Sequence, residues 1–90
     1  MNSLRLAHKI KRRLEERGYH PTVPQESSRE TGASYFWVFR RVTRKTKQTG
    51  IRSHEGIVGA VYVFETGDTF IETPDDDSAL AAELEAAIKP

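Results

Sequence analysis

The amino-acid sequence predicts an α+β domain in which one helix, three antiparallel strands and a second helix follow one another. Three observations support this order. Apolar residues recur at helical spacing near both ends of the chain, aromatic and β-branched residues fill two segments in its middle, and a short turn signal precedes a third such segment. The simplest arrangement is a two-layer α-β-β-β-α domain with both helices on one face of the sheet.

The first helix is predicted over residues 4–17. Ser3 is its expected N-cap, and Gly18 supplies the left-handed position that ends it. The residues at spacings of three and four that form its buried stripe are Leu4, Ala7, Ile10 and Leu14. The opposite face is mostly positive and includes Arg5, Lys9 and Arg12.

Residues 19–33 show little periodicity and contain Pro21 and Pro24. Proline lacks a backbone N–H, so this composition favours a mobile surface connection with at most a short extended piece around Thr22 and Val23.

Two long strands are predicted over residues 34–42 and 57–64, where aromatic and β-branched residues concentrate. The 14 residues between them are too many for a tight hairpin turn. Either both strands continue outward as a twisted ribbon, or this segment is a basic loop.

The third strand is predicted over residues 69–72, after a short turn. A second helix follows, with Thr73 as N-cap, Pro74 at its first position and acidic residues in its first turn, where they favour the helix dipole. Its apolar stripe contains Leu80, Leu84 and Ile88, flanked by Ala81 and Ala87.

The charges are sorted along the chain. Residues 1–55 hold 13 Lys and Arg against 5 Asp and Glu, a net charge of +8, whereas residues 56–90 hold 1 against 8, a net charge of −7. The total of +1 therefore hides a basic and an acidic part.

The densest basic segment directly follows the aromatic run of residues 35–39. Lys and Arg neutralise phosphates and supply much of the affinity for nucleic acids. We therefore expect a phosphate-contacting hairpin over about residues 40–52, with helix 1 as a secondary contact. The alternative is a solvated hairpin whose charges protect a sheet edge from aggregation. The expected contact residues are Arg40, Arg41, Arg44, Lys45, Lys47 and Arg52 in the hairpin, and Arg5, Lys9 and Arg12 in the helix.

Side chains alternate along a strand, so Tyr35, Trp37 and Phe39 share one face while Phe36 and Val38 share the other. Both faces are apolar. If the helices cover only one, the other exposes aromatic rings that either stack unpaired bases or pack against a second subunit or a loop. The sequence favours a dimer or an overlying loop.

Other chemistries find little support. Without Cys, the chain has no disulfide, thiolate metal site or thiol nucleophile. His8, His20 and His54 show no metal-binding spacing. No uncharged run approaches the roughly 18 residues of a membrane span, and the first residues lead into alternating charge. We expect a cytoplasmic protein that lacks metal and cofactor and does not contact membranes.

The order of helix, three strands and helix resembles that of double-stranded-RNA-binding domains and of HicA-type toxins. The first resemblance implies RNA binding by a basic cluster at the start of the last helix, where this chain carries Asp75, Asp76 and Asp77. The second implies a catalytic His in a Gly-containing strand, which His8, His20 and His54 do not match. Neither family is assigned.

These observations favour a non-enzymatic, single-domain nucleic-acid-binding protein. One alternative is a protein-interaction module, such as a homodimer, that uses the segregated charges and the acidic second helix. Another is a small surface ribonuclease, for which His54 is the candidate acid or base.

Overall fold

The computed structural model describes residues 2–29, 31–42 and 54–89. It confirms the α+β class and the antiparallel pairing, but the expected three strands are wrong, because the described ranges contain five. The elements are α1 (Ser3–Glu16), β1 (His20–Pro21), β2 (Gln25–Glu26), β3 (Ala33–Val42), β4 (His54–Phe64), β5 (Thr69–Glu72) and α2 (Ser78–Ile88).

The sheet has the order β1-β3-β4-β5, and β2 also pairs with β3. The two extra strands come from the segment that the sequence predicts to be a surface connection. Between them, the backbone N–H of Thr22 donates to the carbonyl of Trp37 at 2.8 Å. In return, the N–H of Trp37 donates to Oγ1 of Thr22 at 3.0 Å. Prolines are tolerated at the edge of a sheet, so Pro21 occupies an edge strand without breaking the pairing.

Both helices pack on one face of the sheet, as predicted. Leu14 of α1 and Leu84 of α2 are fully buried against Phe36 and Val61 of the central strands. The helices also meet each other where Nη1 of Arg13 donates to the carbonyl of Ile88 at 2.9 Å. One apolar cluster therefore joins both helices to the sheet.

The start of α1 differs from the prediction. Asn2, not Ser3, is the N-cap, and its side chain accepts from the N–H of Leu4 at 2.9 Å. Ser3 is buried, and its hydroxyl lies 2.9 Å from that of Ser34. The helix ends at Glu16, one residue earlier than predicted, and Gly18 takes the predicted left-handed conformation at a φ of +90°.

The second helix begins later than predicted. Pro74–Asp76 forms a separate 3₁₀ turn in which Asp75 and Asp76 take left-handed backbone conformations, at φ 57° and 50°. These conformations interrupt a right-handed helix. Thr73 makes no capping bond, and the carboxylate of Asp77 instead accepts from the N–H of Leu80 at 3.0 Å.

A bulge in β4 shifts the register between the two long strands, β3 and β4. Val38 pairs with Gly59 and Phe39 with Ile57, which leaves Val58 as an extra residue. Val58 is fully buried, whereas Ile57 is 46% exposed. Beyond the bulge the ladder continues to the pair of Val42 and His54, so both strands extend past the core. Residues 43–53 lie outside the described ranges.

Candidate nucleic-acid interface

The two faces of the sheet are both apolar, but only one is covered. Phe36 and Val38 point towards the helices and are fully buried. Trp37, between them in sequence, is 42% exposed, and Phe70 on β5 is 57% exposed. The prediction that β3 carries an apolar face on each side is confirmed, and the helices leave one of those faces open.

The open side carries a connected group of rings, which we call the aromatic face: Tyr35, Trp37, Tyr62 and Phe70. Tyr35 and Tyr62 stack with centroids 5.7 Å apart. The ring of Trp37 stands edge-on to Tyr35 at 6.5 Å, and Phe70 lies 6.3 Å from Tyr62 at a tilt of 48°. These are favourable geometries for aromatic pairs, so the rings hold one another in place across three strands.

Register explains the layout of the aromatic face. One row across the strands contains Tyr35, Tyr62 and Phe70, because Tyr62 pairs with both of the others. The next row contains Trp37, Ala60 and Glu72. A small, buried side chain thus lies between a large ring and a carboxylate.

A groove of about 330 Å³ lies on this open side of the sheet. Rings of the aromatic face form one part of its wall, and the side chains of Arg29 and Glu72 supply opposite charges. Its volume falls at the lower end of the range of about 300 to 1,000 Å³ that is typical of small-ligand sites. The groove therefore suits a ligand the size of a single ring system.

Arg29 reaches the aromatic face from the loop before β3. The N–H of Ser27 donates to the carbonyl of Ala33 at 2.9 Å, and the N–H of Arg29 donates to Oγ of Ser27 at 3.2 Å. The side chain of Arg29 also lines a neighbouring groove beside Tyr62 and Phe70. Sequence reasoning missed Arg29 and Glu72, because neither belongs to a charged run and only the folded chain brings them together.

Arg40 is the one predicted hairpin residue whose side chain the structure describes. It is exposed near the end of β3 and lies beside Gly56 of β4. A Cβ atom added to Gly56 would be 3.4 Å from the Cβ of Arg40. Arg41 is in β3, but its side chain lies outside what the structure describes. Arg44, Lys45, Lys47 and Arg52 lie outside the described ranges altogether.

Arg40 belongs to a small polar group with Tyr19 and Glu83. The Tyr19 hydroxyl hydrogen-bonds to Oε1 of Glu83. Burial raises the pKa of Tyr19, the hydrogen bond and the negative charge of Glu83 raise it further, and the positive charge of Arg40 opposes them. Arg40 therefore acts on the helix-covered side of the sheet, close to an acidic residue of α2.

The predicted helix residues Arg5, Lys9 and Arg12 are all exposed on α1. Because α1 packs on the covered face of the sheet, its solvent side points away from the aromatic face. The structure therefore does not bring these three cations together with Trp37.

The described residues offer little for other chemistry. Within ranges 2–29, 31–42 and 54–89, no three His, Asp or Glu side chains converge as metal ligands would. His8 and His20 are exposed, and the side chain of His54 is outside what the structure describes. Neither α1 nor α2, the α-helices of the described ranges, combines the length and apolar character needed to cross a membrane.

Comparison with known proteins identifies no relative of this chain. No family model matches it, and neither a curated protein nor a solved structure is significantly similar to it.

Proposed function

We propose that this domain binds single-stranded nucleic acid, with unpaired bases against the aromatic face and phosphates on the basic segment that follows β3. The observation that carries the proposal is the open side of the sheet, where Trp37 and Phe70 are 42% and 57% exposed beside the stacked tyrosines. Proteins bind single strands by stacking bases on aromatic rings and guiding the backbone with positive charge.

Single strands fit this surface better than duplexes. The rings lie on a sheet, and base stacking on a ring is worth about 1–3 kcal/mol per base. A duplex keeps its bases stacked on one another and offers the rings only its edges and backbone. The aromatic face therefore favours a strand whose bases are free.

The distribution of charge supports the same surface. Arg29 is exposed beside the rings, and β3 leads directly into the segment that contains Arg44, Lys45 and Lys47. The acidic α2 packs on the other side of the sheet, so Glu83 and Glu85 repel a strand on the aromatic face only at long range. Arg5, Lys9 and Arg12 then contribute attraction at a distance rather than the secondary contact expected from the sequence.

The proposal is tested by fluorescence anisotropy with labelled single-stranded DNA, single-stranded RNA and a duplex of the same length, at several salt concentrations. We expect both single strands to bind more tightly than the duplex. Trp37→Ala and Phe70→Ala should each weaken binding about 5- to 150-fold, which corresponds to the loss of one stacking contact. Val23→Ala is the matched control, because Val23 is 67% exposed but carries no ring.

Light scattering on the same samples separates nucleic acid from the other candidate occupant, a second copy of the chain. A dimer that dissociates in Trp37→Ala, combined with no binding of any strand, would replace the proposal with a homodimerisation module. A monomer that binds single strands would support the proposal.

A further inference from the structure

We propose that the groove beside Trp37 holds an unpaired guanine of the bound strand. This inference rests on the proposed function and deepens it, because it assigns a base preference to one position on the aromatic face. The residues that carry it are Trp37, Glu72 and Arg29.

The shape of the groove suits a planar base. Trp37, Ala60 and Glu72 lie side by side in one row across β3, β4 and β5. Ala60 is only 1% exposed, so its neighbours cover it and the groove is lined by the larger side chains around it, among them Tyr35 and Tyr62. The exposed ring of Trp37 lines the same groove as Glu72, and it offers a surface on which a base can stack.

The polar groups of the groove have complementary chemistry. Glu72 carries a carboxylate, which accepts hydrogen bonds, and Arg29 carries a guanidinium group, which only donates them. Both side chains are exposed. Among the side chains that the structure describes, the single ion pair joins Lys11 to Glu15, so Glu72 and Arg29 form no ion pair with each other.

Guanine matches this pair of groups better than the other bases do. Its N1–H and N2 amino group are neighbouring donors that suit one carboxylate, and its O6 and N7 are neighbouring acceptors that suit one guanidinium group. Adenine and cytosine each present one amino group next to a ring nitrogen that accepts hydrogen bonds. The lone pair of that nitrogen would face the carboxylate and repel it. Thymine and uracil present one N–H between two carbonyl groups, which also repel a carboxylate.

The test measures the affinity of the whole chain for short oligothymidylate strands that carry one central guanine, adenine, cytosine or thymine. We expect the guanine strand to bind about tenfold more tightly than the others, within the range for one bidentate contact to a base. A strand with central hypoxanthine, which lacks the N2 amino group, should lose much of this preference.

Two variants locate the recognition. Glu72→Gln should bring the affinities for guanine and adenine strands close together. Arg29→Gln should reduce the preference for guanine without any change in β5, the strand that carries Glu72. Glu85→Gln is the control, because it makes the same change on an exposed position of α2 and should leave the preference intact. Thermal melting of each variant verifies that it is folded.

The outcomes distinguish the inference from the proposed function. Equal binding of all four strands, with Trp37 still required, would overturn the guanine site and leave single-strand binding in place. A guanine preference that persists in both folded variants would also overturn it, because recognition would then lie elsewhere. Failure to bind any strand would refute both.

Discussion

Tyr35 and Tyr62 stack across β3 and β4, with ring centroids 5.7 Å apart and planes 26° from parallel. Each ring has a further aromatic neighbour, Trp37 beside Tyr35 and Phe70 beside Tyr62. Mutual packing restricts the rotamers of these side chains, and a ligand that stacks on a restricted ring loses less free energy to ordering. The packing of the rings therefore holds the aromatic face in one arrangement without a ligand.

Phe36 and Trp37 are neighbours in sequence on opposite faces of β3, and their truncations should lower stability by unequal amounts. Phe36→Ala removes a fully buried ring and should lower the free energy of unfolding by about 3–5 kcal/mol. Trp37→Ala removes a ring that is 42% exposed and should cost about 1 kcal/mol or less. Urea unfolding checks both values. Equal losses would mean that the two faces are equally buried and that the aromatic face is not open.

The hydroxyls of Ser3 and Ser34 form a buried pair between α1 and β3, at 2.9 Å. Ser3→Ala should cost about 1–3 kcal/mol, because it leaves the hydroxyl of Ser34 buried without this partner. Replacing both residues with Ala should cost less than the sum of the two single changes. A double-mutant cycle by urea unfolding measures this coupling, and strictly additive losses would show that the hydroxyls do not interact.

The bond between Tyr19 and Glu83 predicts a loss of stability at alkaline pH. The pKa of Tyr19 is raised above its ordinary value of 10.0, mainly by burial and then by Glu83. The folded state therefore binds this proton more tightly than the unfolded state does. The resulting stability is fully present below the unfolded pKa and is lost as the pH rises through the folded pKa.

Urea unfolding from neutral pH to above the Tyr19 pKa, on parent and Tyr19→Phe, checks this prediction. The parent should lose more stability than the variant over the alkaline range, because only the parent carries the perturbed hydroxyl. Glu83→Gln should reduce the difference, since it removes the negative charge beside the phenol. Parallel curves for the parent and Tyr19→Phe would contradict the account.

The basic segment after β3 should determine how binding depends on salt. Replacing Arg44, Lys45 and Lys47 together with Ala should reduce the slope of log affinity against log salt by about 0.7 for each lost phosphate contact on a single strand. The matched control replaces Arg5, Lys9 and Arg12 with Ala, which removes the same charge from the solvent side of α1. Anisotropy titrations compare the slopes. A larger change in the control would assign the phosphate contacts to α1 instead.

Local patterns in the sequence predict those parts of the fold that depend on neighbouring residues. The last strand, Thr69–Glu72, has the predicted bounds, and α1 ends just before Gly18, whose left-handed conformation stops the helix. The alternation of Phe36 and Trp37 likewise predicts two apolar faces, because side-chain direction follows directly from strand geometry.

The remaining features depend on contacts between distant residues. β1 and β2 are each two residues long, and both pair with the edge of β3. The prolines in this segment argue against strands, so the sequence does not predict this pairing. The late start of α2 depends on left-handed conformations at Asp75 and Asp76. Asp tolerates this conformation but does not require it, so the sequence does not predict it. The groove depends on register, which places Glu72 beside Ala60, and on the loop that delivers Arg29.

The fluorescence of Trp37 tests the central claim most directly, because Trp37 is the only Trp in the chain and lies on the aromatic face. Titration of the protein with unlabelled single strands should quench this emission in a saturable manner, with the same affinity as anisotropy gives. A duplex of the same length should quench it less at equal occupancy. Saturable binding of single strands with unchanged Trp37 emission would contradict the account, because the bases would then contact some other surface.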